Sequence, residues 1–346
     1  MLYFNNDYNE ICHPAVMEQM AALGSIQMPG YGTDAYCAEA AAMIRKACAA
    51  ENAAVHFLVG GTQTNLTVIA AALRPHQGVI AADTGHISIH ETGAIEATGH
   101  KVILVSGKDG KVDSALAEQV VKSQSLSMDA EHIVQPKMIY ISNPTEYGTM
   151  YSLQELEELS RLCRNYGLYL FVDGARMGYG LAAAENDITL PDYARLCDAF
   201  YIGGTKCGAM FGEAVVIPNA GIAEDFRYLM KQRGGMLAKG WLLGAQFKAL
   251  FTNDLYMQIS AHADVLADRI RKTLKALGYD LFLPGTTNQV FVTLPDAALA
   301  EIGKNFTFAT WEKAGENHTT VRFCTSWATT EENVDALCDA LKKVLG

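Results

Sequence analysis

In the segment Asp198–Gly212, DAFYIGGTKCGAMFG, an apolar run empties into Gly203-Gly204-Thr205 and then presents a single lysine, Lys206. An amine among small, apolar neighbours is partly desolvated, which lowers its pKa towards the nucleophilic free base and leaves room for a bulky reactant. A carboxylate, Asp173, ends another apolar run, LYLFV, inside Asp173-Gly174-Ala175-Arg176. Nearer the start, Gly60-Gly61-Thr62 separates a strand-like run from a helix-like one. That arrangement aims backbone N–H groups and a helix N-terminus at a phosphate, although by itself it is equally a tight connection, and it is neither GxxxxGK[ST] nor GxGxxG. His86 and His90 stand four apart beside Glu91, without a third ligand or the HExxH order. They read as histidines near a small-molecule site or in the core, and no metal is expected.

Pyridoxal phosphate requires these partners together. Its aldehyde needs a lysine (Lys206), its pyridine nitrogen a carboxylate (Asp173), its phosphate a helix N-terminus (Gly61, Thr62) and its ring face a flat side chain (His86). An amino-acid substrate then needs an arginine fork for its carboxylate, for which Arg176 and Arg322 are the candidates.

Elements of a particular kind must position these groups. Strand patterns at 53–59, 79–83, 101–106, 138–142, 168–172, 199–202 and 214–217 alternate with helical stretches such as 36–50, 66–73 and the helix that starts at Ser152. That helix carries Leu153, Leu156, Leu159, Leu162 and Tyr166 on one stripe and ends at Gly167, a C-cap glycine. Near-continuous apolar strands alternating with helices predict an α/β fold with a mainly parallel sheet covered on both faces, with ligands at the carboxyl ends of the strands. After Gly240 the texture changes to a long helix over 256–277, strands at 289–294 and 321–325, and an amphipathic helix over 331–345. The expected division is an N-terminal arm and large cofactor-binding domain over 1–245 and a smaller C-terminal α+β domain over 246–346.

The chain has 346 residues, half of them hydrophobic, and a net charge of −11, which disfavours nucleic acid and anionic membranes as partners. Eight cysteines lie scattered in apolar segments without a CxxC pair, as expected of reduced thiols in a cytoplasmic protein. The first residues lack a basic stretch followed by an apolar core, so neither a signal peptide nor a membrane span is expected.

Tyr31-Gly32, Gly60-Gly61-Thr62 through Asn65, Asp83 through His86, Val172-Asp173-Gly174-Ala175-Arg176, Thr205-Lys206 and Arg322 together resemble the low-specificity threonine aldolases. These belong to the β-eliminating lyase group of fold-type-I pyridoxal-phosphate enzymes. The resemblance covers nearly the whole chain and implies an aspartate-aminotransferase-like fold with a three-layer large domain. It implies that Lys206 forms a Schiff base with the cofactor, Asp173 pairs with the pyridinium, and His86 stacks on the ring and is the candidate base, directly or through a water. Gly61 and Thr62, with Thr205, would hold the phosphate, and Arg176 and Arg322 would clamp the substrate carboxylate, with Arg176 also near the cofactor. Asn6 stands where the family usually carries a serine and is its substrate-binding counterpart. Tyr31 and a basic residue after Gly234-Gly235, Lys239, would reach the site from a neighbouring chain of a homo-oligomer, a dimer or homotetramer.

The implied activity is cleavage of the Cα–Cβ bond of β-hydroxy-α-amino acids, L-threonine or L-allo-threonine giving glycine and acetaldehyde. Asn143-Pro144-Thr145-Glu146-Tyr147-Gly148-Thr149 replaces the family's histidine-bearing loop, so a pyridoxal-phosphate lyase eliminating a β-substituent from another amino acid stands as the alternative. Outside that chemistry stand a nucleotide-binding α/β protein using Gly60-Gly61-Thr62 and a cofactor-binding protein without catalysis.

Overall fold

The computed structural model describes all 346 residues. The chain opens with β1 (Leu2–Tyr3), α1 (Pro14–Leu23), α2 (Ala35–Ala47), β2 (Ala54–Leu58), α3 (Gly61–Ala72), β3 (Gln77–Ala82) and the single turn α4 (His86–Ile89). It continues through β4 (Val102–Val105), α5 (Ser114–Ser125), β5 (Gln135–Ser142), α6 (Leu153–Tyr166), β6 (Tyr169–Asp173), α7 (Met177–Ala182), α8 (Leu190–Leu196), β7 (Ala199–Gly203) and β8 (Glu213–Ile217). Then follow α9 (Ala220–Ala223), α10 (Phe226–Gln232), α11 (Trp241–Phe251), α12 (Leu255–Ala276), β9 (Gln289–Pro295), α13 (Asp296–Ile302), β10 (Phe306–Thr307), β11 (Ala309–Lys313), β12 (His318–Cys324) and α14 (Glu331–Leu345).

Seven strands form the central sheet in the order β2-β8-β7-β6-β5-β3-β4. Pairings from β4 across to β7 are parallel, and β8 runs antiparallel to both of its neighbours. Every residue of β3, β7 and β8 is buried, which is why their stretches 79–82, 199–202 and 214–217 read as unbroken apolar runs. Register sets the site. Ser142 at the end of β5 lies opposite Asp173 at the end of β6, and Gly203 at the end of β7 lies opposite Glu213, the first residue of the reversed β8. Reversing β8 therefore brings a carboxylate to the same rim as the carboxyl ends of the parallel strands.

Two glycines close that rim. Gly203 N–H donates to the Gly174 carbonyl at 2.9 Å, and a Cβ on Gly174 would stand 1.9 Å from the Tyr201 carbonyl oxygen. No side-chain-bearing residue permits that approach, so Asp173 and Lys206 are drawn together by the glycines that follow and precede them.

Helix α6 starts as its sequence dictates, with a capping box between Ser152 and Glu155, and stops at Gly167 with φ 64°. The smaller core gathers Leu266, Ile270 and Leu274 of α12 with strands β9 and β12, helix α14 and Phe4. The other half of α12, with Tyr256, Ile259 and Ala263, packs into the large core. The N-terminal residues also differ from the expected arm of the large domain: β1 pairs in parallel with β10, and Phe4 enters the smaller core.

Candidate active site

A cavity of about 670 Å³ opens at this rim, and Gly61, Thr62, His86, Asp173, Arg176, Thr205, Lys206 and Arg322 all border it. Asp173 ends β6 almost fully buried, with each oxygen accepting two hydrogen bonds. Oδ1 takes them from Tyr201 Oη and the Ala175 N–H, and Oδ2 from Tyr140 Oη (2.6 Å) and Asn65 Nδ2 (3.0 Å). Burial alone would raise its pKa, but the His86 charge and the donors from Tyr140, Tyr201 and Asn65 hold the carboxyl below its usual range. A fixed negative charge results. A ring N–H arriving there would share an oxygen with these donors or turn one hydroxyl away.

Asn65 Nδ2 also donates to Glu91 Oε1 at 2.7 Å, and the same oxygen lies 2.7 Å from His86 Nδ1. Burial pulls the imidazole pKa down, while Glu91 and Asp173 together leave it raised above the ordinary histidine value. Lys206 has no ion pair and no side-chain hydrogen bond in the protein. Burial and the Arg176 charge lower its pKa, which favours the free amine, against the opposing charges of Asp7, Asp173 and Glu213. At the other end, the N–H groups of Gly61, Thr62 and Gln63 begin α3 without backbone partners, a ready anion site.

The two arginines differ. Arg176 gives Nε and Nη2 to the buried Asp7 at 2.7 and 3.0 Å, and its charge, with those of Lys206 and Arg322, holds Asp7 at about 2 against the effect of burial. Asp7 therefore occupies the Nε–Nη2 edge of its fork, leaving Nη1 as the part without a partner in the protein for the expected clamp. Arg322 on β12 reaches only neutral acceptors, Gln289 Oε1 and the Asn5 carbonyl, both at 3.0 Å, and its buried Nε has no partner. It is the arginine left open to a substrate carboxylate.

Thr205 also differs from expectation, because its hydroxyl donates to Glu213 Oε1 (2.8 Å) and accepts from the Gly212 N–H (3.0 Å), leaving nothing for a phosphate. Asn6 does not border the cavity, and its Oδ1 accepts from the Tyr8 N–H at 3.0 Å. Tyr31 and Lys239 lie outside it as well, exposed on the same chain's surface. Asn65, Tyr140, Tyr201, Glu146 and Glu213 were not assigned to the site from sequence. The two tyrosines carried a signal: a phenol inside an otherwise apolar buried strand must find a polar partner.

The residues present fit the cofactor, with a free amine, an ionised carboxylate and unpaired helix N–H groups around one cavity. Fold and site define a fold-type-I pyridoxal-phosphate enzyme. Residues 11–297 match the family described as β-eliminating lyase, and the chain belongs to that family as a pyridoxal-phosphate-dependent lyase. It is 29% identical to a low specificity L-threonine aldolase of Pseudomonas aeruginosa over 349 aligned positions, covering 99% of this chain and 98% of that protein. The solved structure of Leishmania major threonine aldolase superimposes with a TM-score of 0.97 at 45% identity over the whole of both chains. Thermus thermophilus aspartate aminotransferase, at 17% identity and a TM-score of 0.73 over 100% of this chain and 92% of that one, shares the fold.

Proposed function

We propose that the protein cleaves the Cα–Cβ bond of β-hydroxy-α-amino acids, converting L-threonine or L-allo-threonine to glycine and acetaldehyde. The observation that carries the reading is the open Arg322 in one cavity with Lys206 and Asp173, in a chain similar to threonine aldolases along its whole length. When bound, pyridoxal phosphate supplies an electron sink for the bond broken at Cα. Lys206 would hold the cofactor through its amine, which has no ion pair or side-chain hydrogen bond in the protein. Asp173 would hold the ring nitrogen with its buried carboxylate, His86 would lie against the ring, and the first turn of α3 would hold the phosphate. Arg322 would bind the substrate carboxylate and so orient the bonds at Cα in the cavity.

No helix is long and apolar enough to cross a membrane. All eight cysteines are buried and unpaired, which supports a reducing compartment, the cytoplasm. A homo-oligomer completes the reading, with Tyr31 and Lys239 serving the cavity of a second copy. The test is product analysis. Purified holoenzyme should release glycine and acetaldehyde from threonine, and Lys206→Ala should lose the borohydride-sensitive visible band and all but ~0.1% of turnover. Ammonia and a keto acid from serine or cysteine, with threonine untouched, would instead establish the eliminating lyase.

A further inference from the structure

We propose that Glu146 is a catalytic residue, the base that removes the β-hydroxyl proton; the assignment rests on the aldol reading above. Glu146 is buried in the loop after β5 and borders the same cavity as Lys206 and His86. Its two oxygens are used unequally. Oε1 accepts from the His86 backbone N–H at 2.9 Å and from Ser142 Oγ at 2.6 Å. Oε2 makes no hydrogen bond to another residue and is not sealed from solvent, so it is the oxygen still available at the cavity that Glu146 borders.

The other candidates in the cavity are less suited. Glu213 has both oxygens engaged, by the Gly204 N–H and the Thr205 hydroxyl. His86 holds Nδ1 2.7 Å from the Glu91 carboxylate, a pairing that favours a proton on the ring and so suits it less to accept another. Burial, reinforced by the charge of Asp173, raises the Glu146 pKa above the ordinary glutamate range despite the Ser142 hydrogen bond, bringing it closer to neutrality, where a general base works best.

The step balances without an external oxidant or reductant. Oε2 takes the hydroxyl proton, and the O–H electron pair becomes the second C–O bond of the aldehyde. The Cα–Cβ bond breaks with its pair remaining on Cα. The proton on Glu146 leaves to solvent with the aldehyde, and Cα is protonated separately to give glycine.

E146Q separates this role from a structural one, because the glutamine oxygen can still accept from His86 N–H and Ser142 while an amide NH₂ replaces Oε2. In E146Q holoenzyme, kcat for threonine cleavage should fall about 100-fold or more. Glycine has no β-hydroxyl, so its affinity, read from the visible absorbance, and the exchange of its α-proton with D₂O, read by NMR, should stay within about threefold of wild type. E146D should recover part of the cleavage. Cleavage by E146Q at the wild-type rate would overturn the assignment, as would equal losses of cleavage, glycine binding and exchange. Wild-type enzyme that exchanges glycine yet cleaves no β-hydroxy amino acid would overturn the aldol reading itself and this step with it.

Discussion

Asn65 uses one amide nitrogen to bridge Glu91 and Asp173, and through Glu91 it reaches His86, so these side chains form one hydrogen-bonded network. Glu91 is the member whose removal is most informative. In Glu91→Gln the amide oxygen can still accept from Asn65, but the negative charge beside Nδ1 is gone. The largest influence on His86, burial, then meets less opposition, and its pKa should fall. An NMR titration of the imidazole signals should give a lower midpoint than wild type; an unchanged midpoint would mean that Glu91 does not sustain the imidazolium. Residue types at this scale were legible in sequence, because lysine, aspartate and glycine pair each have a chemical reason to end an apolar strand. Partnerships were not. Arg176 is paired with Asp7, 169 positions away, and no local pattern reveals which of two arginines is already neutralised.

Elements were legible where local rules act alone, as in α6, whose capping box, stripe and terminal glycine lie within its own sequence. Helix α3 begins at Gly61 rather than at the expected 66, because the glycines and hydroxyl residues of its first turn carry no apolar periodicity. The long α12 was legible as a helix, but its polar anomaly was not. Asp264 is buried with neither oxygen partnered, and burial raises its pKa to about 9 although Arg271 works the other way. Arg271 instead donates to the carbonyls of Thr287 and Gln289. A carboxyl whose folded pKa lies above its unfolded value stabilises fully below the unfolded value, near 3.8, and that contribution is lost as pH rises through about 9. Asp264→Asn mimics the protonated acid. It should match wild type in urea unfolding near the low end and gain on it by about 1.4 kcal/mol per pH unit between roughly pH 5 and pH 8. Parallel pH profiles for the two proteins would show that Asp264 is ionised in the fold.

Across the whole molecule, the rim of the central sheet supplies Asp173, Lys206 and the α3 N-terminus, while β12 supplies Arg322 and β1 ties the chain's start to β10. The site therefore joins two cores that α12 spans, and the expected division at 245/246 falls inside α11, whose Leu243, Phe247 and Leu250 all pack in the large core. The change of texture after Gly240 was legible in the sequence, whereas the crossing of residues 2–4 into the far core depends on a pairing over some three hundred positions. Tyr31 and Lys239 are the remaining residues without a place in their own chain's cavity. Tyr31 sits at φ 62° with the Lys231 ammonium 4.8 Å from its ring centre, and Lys239 is exposed with no ion pair. If both serve a second copy, sites are built from two chains and can be complemented. Lys206→Ala protein lacks the covalent amine, and Lys239→Ala protein should bind the cofactor weakly, each alone giving little turnover. In a hybrid dimer one site joins the intact Lys206 of one chain to the intact Lys239 of the other while the second site lacks both, so the purified hybrid should recover about half of wild-type activity. Co-expressed, differently tagged chains purified in tandem provide the measurement. Hybrids no more active than the mixed parents would mean that Lys239 acts within its own chain or not at all.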